Sequence, residues 1–278
     1  MFGWDKGDDV DGRAAISVPV TIDGASYFFM LDTGSDVSML WGDVAGHDGD
    51  SYFHPGVMAI GSTELHDPLV MINRAMKPEY GTEQGTFGLQ SMIGRVAVID
   101  YPDREFCLFE KADVPDAIRA AQWSDAVLRG SKLLLPVSIG NFQLRNVMFD
   151  SGSSQFPLYV DLVNWRRLTG IDDPDAAPLH GYVNSWGQRG ALYGAPMEGV
   201  EMTIGGASLD APVIYTQPGK PDELAEAFQA GGIVGNVPFW NGIVVLDLSN
   251  ALTSDNKLLF AVQLSLRWQQ NVRFGVIK

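Results

Sequence analysis

Apolar residues along this chain come in short runs, set between clusters of glycine, aspartate, asparagine and proline. Such punctuation predicts many short strands joined by tight turns rather than a bundle of helices. One pattern occurs twice. Val18-Pro19-Val20-Thr21-Ile22 passes through Asp23-Gly24 to Phe28-Phe29-Met30-Leu31, which ends on Asp32-Thr33-Gly34-Ser35. Leu135-Pro136-Val137-Ser138-Ile139 passes through Gly140-Asn141 to Asn146-Val147-Met148-Phe149, which ends on Asp150-Ser151-Gly152-Ser153. Each copy predicts a β-hairpin whose second, apolar strand runs into an aspartate.

Two more matched elements follow in the same order. Ile60-Gly61-Ser62-Thr63-Glu64-Leu65 answers Ile204-Gly205-Gly206-Ala207-Ser208-Leu209, and Phe87-Gly88-Leu89 with Val96-Ala97-Val98-Ile99-Asp100 answers Val234-Gly235-Asn236 with Ile243-Val244-Val245-Leu246-Asp247. Two copies are too few, and their period too long, for a solenoid. The expectation is an all-β protein of two homologous lobes, residues 1–128 and 129–278, with a short helix entered through Pro115 just before the boundary.

Length and charge narrow the function. The 278 residues are enough for one large domain or two smaller ones, each with its own core. A net charge of −15 argues against nucleic acid and anionic membrane as partners, which would repel it. No apolar stretch approaches the roughly 20 residues that cross a bilayer, so no membrane span is expected. The single cysteine, Cys107, excludes an internal disulfide and is expected as a small core residue in a strand. The lack of disulfides and of a leader-like start fits the cytoplasm, and a periplasmic or secreted location follows if a leader has been removed. The compartment stays open on sequence.

The repeated aspartates carry the chemistry. To attack an amide, water needs one ionised carboxylate to take its proton and one protonated carboxyl to polarise the carbonyl and later serve the leaving nitrogen. Two carboxyls held close cannot both ionise cheaply, so they share a proton. An Asp-[Ser/Thr]-Gly-Ser element once per lobe supplies such a pair as Asp32 and Asp150. Gly34 and Gly152 allow the sharp turn after each strand. Thr33 and Ser151 offer hydroxyls for a network beneath the acids, and Ser35 and Ser153 are expected to donate to the outer carboxylate oxygens.

These motifs, with Phe87-Gly88-Leu89 and Val234-Gly235-Asn236 behind them, resemble the paired active-site and bracing motifs of the pepsin and retropepsin superfamily, in a short, disulfide-free form of bacterial type. The resemblance runs from about residue 14 to residue 262. It implies the two-lobed pepsin-like acid protease fold with the active site between the lobes. It further implies aspartic endopeptidase activity with Asp32 and Asp150 as catalytic residues, a polypeptide substrate, no cofactor, no metal and a monomer. A catalytically silent peptide-binding protein on the same fold is the alternative. A phosphoryl-transfer enzyme using Asp32 as nucleophile would need a lysine and further acids around a β/α site, which a β-rich chain with duplicated acids does not offer.

Other candidates read as structural. Asp100 and Asp247 precede turns, the four histidines show no ligand spacing, and Asp172-Asp173-Pro174-Asp175 lacks the spaced ligands of a calcium loop. Tyr80-Gly81-Thr82 mimics a pepsin flap but lies too near Gly88 to form its hairpin. The interval between the aspartate motif and the second repeated element is about twice as long in the second lobe. It holds His180-Gly181-Tyr182-Val183-Asn184-Ser185-Trp186-Gly187-Gln188-Arg189, two short strands around a glycine-flanked tip. The main flap is therefore expected in the second lobe, with Tyr182 and Trp186 facing substrate.

Overall fold

The computed structural model describes residues 1–5, 12–77, 82–185, 188–205, 207–210, 212–218, 230–251 and 269–277. Both repeated hairpins are present. Asp23 and Gly24 take φ of 48° and 83°, the conformation a two-residue turn needs to match the twist of its strands. Strands Ala15–Ile22 and Ala25–Asp32 therefore pair antiparallel, with Ile22 opposite Ala25. Lys132–Ile139 and Phe142–Phe149 pair likewise, with Ile139 opposite Phe142. The leading strands of the two hairpins bury and expose the same positions in the same order, and Pro19 and Pro136 both lie on the exposed side.

Each motif strand is then enclosed by the same arrangement. Ala25–Asp32 lies parallel to Gly85–Gly88, which is antiparallel to Ser38–Trp41, itself parallel to Val70–Asn73. Phe142–Phe149 lies parallel to Gly232–Val234, which is antiparallel to Leu158–Val160, itself parallel to Val213–Thr216. Parallel neighbours bury a strand on both faces, which is why the residues before each aspartate read as continuous apolar runs. Phe29, Leu31, Phe87, Phe149 and Phe239 are fully buried in one core cluster that includes both halves, each side chain contributing ~1.5–3 kcal/mol.

The halves join through the last strands of each repeat. Val96–Asp100 pairs antiparallel with Ile243–Asp247, centred on Val98 opposite Val245. Val98 and Val245 occupy the same place in the two repeats, so the contact has the form of a twofold axis. Gln269–Ile277 is seated between Ile243–Asp247 and Gln122–Arg129. The chain is thus an all-β, two-lobed protein, and residue 128 falls inside the strand Gln122–Arg129.

Short helices are confined to connections. Asp116–Arg119 starts after Pro115 as expected. Leu162–Thr169 was not anticipated, although its signals stand in the sequence. Asp161 accepts from the Asn164 N–H at 2.7 Å as N-cap, and Gly170 closes the helix at φ 72°. Its Trp165 is fully buried and donates to the Ile214 carbonyl at 3.0 Å. Cys107 departs from expectation. Alternation along Glu105–Phe109 turns Phe106 and Leu108 inward and leaves Cys107 half-buried on the other face. No helix among the described residues is long and apolar enough to cross a membrane.

Candidate active site

Asp32 and Asp150 end equivalent strands, and the fold brings their loops against each other. A β-carbon at Gly34 would lie 2.6 Å from Asp150 Cγ, and one at Gly152 would lie 2.8 Å from Asp32 Cγ. Each carboxyl therefore rests on the glycine of the opposite motif, an approach only glycine permits. The two carboxyls thereby lie close enough to act on each other's proton affinity.

Beneath them the motif hydroxyls interlock. The Thr33 N–H donates to Ser151 Oγ at 3.0 Å, and the Ser151 N–H donates to Thr33 Oγ1 at 2.9 Å. Thr33 Oγ1 in turn donates to the Phe149 carbonyl at 2.9 Å, and Ser151 Oγ to the Leu31 carbonyl at 3.0 Å. Each hydroxyl uses its donor and its acceptor on the opposite loop. Both residues are fully buried, where unmade bonds would be costly.

The serines that follow act differently from expectation. Ser35 Oγ turns back to the Val37 carbonyl at 3.0 Å, and Asp32 Oδ1 is reached instead by the Ser35 main-chain N–H at 3.0 Å. Ser153 donates its own N–H to the Asp150 carbonyl, while Asp150 Oδ1 accepts from the Gly152 N–H at 2.9 Å. The sharp turn points main-chain N–H groups at the carboxylates, so the hydroxyls are not needed there.

Burial chiefly, then the Asp150 charge beside it, holds the Asp32 carboxyl well above the usual carboxylate range. Burial likewise raises Asp150. In both cases the loop N–H groups and the cation of Lys132 act in the opposite direction. A pair set up this way retains a proton to higher pH than a solvent-exposed aspartate.

The bracing motifs lie directly behind. A β-carbon at Gly88 would lie 2.4 Å from the Val37 carbonyl, and one at Gly235 2.3 Å from that of Ser153. The next residues, Leu89 and Asn236, donate their N–H groups to the Ser35 and Ser153 carbonyls at 2.9 and 2.8 Å.

Five residues around the loops were missed on sequence. Buried Asn236 donates from Nδ2 to the Ser151 carbonyl at 2.7 Å and to Ser154 Oγ at 2.8 Å, and its Oδ1 accepts from Tyr101 Oη at 2.6 Å. On the other side Lys132 reaches from its strand to the first loop. Its Nζ donates to the Gly34 carbonyl and pairs with Asp36 Oδ1 at 2.5 Å. The available signal was a difference between the repeats, since Ala15, Leu89 and Ser154 stand where the other copy has Lys132, Asn236 and Asp36.

The expected flap region forms a hairpin, Leu179–Ser185 paired with Gln188–Pro196, which joins the second-lobe sheet through Val213–Thr216. Tyr182 is exposed, with the Arg189 guanidinium 4.1 Å from its ring centroid. Trp186 and Gly187 lie outside the described residues, as do Tyr80 and Gly81.

Asp100 and Asp247 are turn residues, accepting from the Asp103 and Ser249 N–H groups at 2.9 and 3.2 Å. His47 stacks on Phe53, His54 pairs with Asp67, and His180 bonds the Ala177 carbonyl. Among the described residues no three His, Cys, Asp or Glu side chains gather as a metal site would require.

No protein-family model matches this sequence, and no curated protein does. In three dimensions the chain is similar to the aspartic proteinase from Irpex lacteus, with a TM-score of 0.50 over 95% of each chain at 10% sequence identity. That likeness is one of fold, and it places the chain in the pepsin-like architecture.

Proposed function

We propose that this protein is an aspartic endopeptidase, acting as a monomer on polypeptides, with lobes of residues 1–128 and 129–278 and with Asp32 and Asp150 as its catalytic residues. The observation that carries the reading is the mutual seating of the two carboxyls, each on the other motif's glycine, in a site that favours a shared proton. In that state the ionised carboxylate takes a proton from a water as its oxygen bonds to the scissile carbonyl carbon. The protonated partner hydrogen-bonds and then protonates the carbonyl oxygen. Collapse of the tetrahedral intermediate breaks the C–N bond as one carboxyl gives its proton to the leaving amine and a gem-diol hydroxyl returns its proton to the other carboxylate, which restores the singly protonated pair. Thr33 and Ser151 hold the loops in register, and Gly34 and Gly152 admit the carboxyls.

The test is cleavage of a peptide library at several pH values by the wild type and by the Asp32→Asn and Asp150→Asn variants. Cleavage falling as pH rises, and reduced by ~1,000-fold or more in each variant, is expected. Substantial turnover by either variant with native circular dichroism refutes the dyad. A wild type that binds peptides without cutting them supports the peptide-binding alternative.

We further propose that the hairpin Leu179–Ser185 and Gln188–Pro196 is the flap, with Tyr182 and Trp186 covering the peptide. A cleft enzyme needs such a cover to exclude water and fix the scissile bond. Trp186→Ala is expected to weaken turnover at unchanged thermal stability, and unaffected turnover would refute the assignment.

A further inference from the structure

We propose that Lys132 is a positioning residue of the second lobe that sets the working pH of the Asp32–Asp150 pair, acting through the single peptide unit between Gly34 and Ser35. The proposal rests on the reading of that pair as the reacting groups.

The geometry forms a relay of three members. Lys132 Nζ donates to the Gly34 carbonyl, and the N–H of the same peptide unit, that of Ser35, donates to Asp32 Oδ1 at 3.0 Å. A cation on the carbonyl draws electron density through the amide and makes its N–H a stronger donor, so hydrogen bonds in series reinforce one another. A stronger donor at Oδ1 favours the ionised carboxylate. The charge of Lys132 acts in the same direction on both acids.

The lysine is well placed to act this way. It is 8% exposed, so water screens its charge poorly. It begins the strand Lys132–Ile139, entered through a turn in which Gly130 and Ser131 have φ of 51° and 61°. Asp36, with its side chain 12% exposed, anchors the ammonium at 2.5 Å. Among the described residues, the charged groups acting on the two carboxyls are each other and Lys132, with Asp36 facing Lys132. The remaining contacts are uncharged main-chain N–H groups, that of Ser35 on Asp32 and those of Gly152 and Gly34 on Asp150. The second loop has no equivalent ion pair, because Ser154 and Ala15 stand at the matching places. The cation therefore acts from one side of the axis.

A lysine that only held the lobes together would alter stability and rate without moving a titration. Two readouts separate these cases: the pH profile of kcat/KM for peptide cleavage, and the 13C chemical shifts of the Asp32 and Asp150 carboxyl carbons against pH, which need no turnover. In Lys132→Met both apparent pKa values, and both limbs of the rate profile, are expected to move up by about 1 pH unit. Lys132→Met leaves Asp36 buried without its partner, so Lys132→Met/Asp36→Asn is measured as well. That variant removes both charges, keeps side chains of similar size, and is expected to shift the same way. Unchanged carboxyl titrations in the folded double variant, or a downward shift, overturn the proposal. If the carboxyls respond as expected while no variant or wild type cleaves any peptide, the peptidase reading falls and the role of Lys132 in the pair's titration stands.

Discussion

Replacing Thr33 by valine deletes one buried oxygen and keeps the shape of the side chain. Thr33 Oγ1 accepts from the Ser151 N–H and donates to the Phe149 carbonyl, both at 2.9 Å, so the change strips two main-chain groups of a partner in a site closed to water. A buried donor or acceptor left without a partner costs about 1–3 kcal/mol, which puts Thr33→Val at about 2–6 kcal/mol. The new methyl recovers little, because a threonine-to-valine swap is not neutral where the hydroxyl is bonded. The remaining Ser151 bonds, to the Thr33 N–H and the Leu31 carbonyl, hold one side of the contact and keep the variant folded. Urea unfolding of both proteins, compared at equal slope, measures the difference. Thr203→Val, on the exposed side of the strand Glu201–Ile204, serves as control and is expected within ~0.5 kcal/mol of wild type. A Thr33→Val protein as stable as that control refutes the view that the interlocked hydroxyls hold the two lobes together.

Three further outcomes follow from the site. Both carboxyls are raised, so as pH climbs past the ordinary value of 3.8 the unfolded chain releases protons that the native pair keeps, and native stability falls until the folded groups also ionise. Asp32→Asn removes one of these groups, so thermal melts should show it more stable than wild type near pH 7, with the gain vanishing by about pH 3. Gly34→Ala places a carbon 2.6 Å from Asp150 Cγ and must displace that carboxyl; peptide assays should show a loss of roughly 100-fold or more, the cost of an ångström-scale misplacement. Asn236→Leu leaves the Tyr101 hydroxyl, the Ser151 carbonyl and Ser154 Oγ short of a partner, and urea titration should show a loss of about 3–9 kcal/mol, at about 1–3 kcal/mol for each.

The repeated hairpins, their turns and the end of each strand at an aspartate could be read from the chain because local rules govern them. Alternation, apolar runs and Asp-Gly or Gly-Asn turns act over a few residues. The pairing of Val98 with Val245 was not legible, since it depends on two strands about half the chain apart meeting edge to edge. The hydroxyl interlock was foreseen as residue types, Thr33 and Ser151, but not as four bonds, because hydroxyl direction is fixed only once the loops meet. Ser35 misled for the same reason. Its hydroxyl and its main-chain N–H are both within reach of nearby acceptors, and the turn geometry assigns the N–H to Asp32. Lys132 carried no local sign at all. A lysine at the start of a strand reads as a solvated charge until its burial beside Asp36 is known.

The axis through Val98 and Val245 has a consequence for how such a molecule can diverge. Two separate copies of one half, meeting across that axis, would present every residue twice, and any change would fall on both sides at once. A lysine facing one loop would then face the other, and an aspartate chosen to hold it would appear in duplicate. Joining the copies in one chain lifts that constraint. Asp36 and Ser154, Ala15 and Lys132, Leu89 and Asn236 are positions where the two halves have parted company. All of them border the aspartate loops, while Asp32, Gly34, Asp150 and Gly152 keep the identity of their counterparts. Covalent linkage thus lets a symmetric frame hold two chemically alike acids in unlike surroundings.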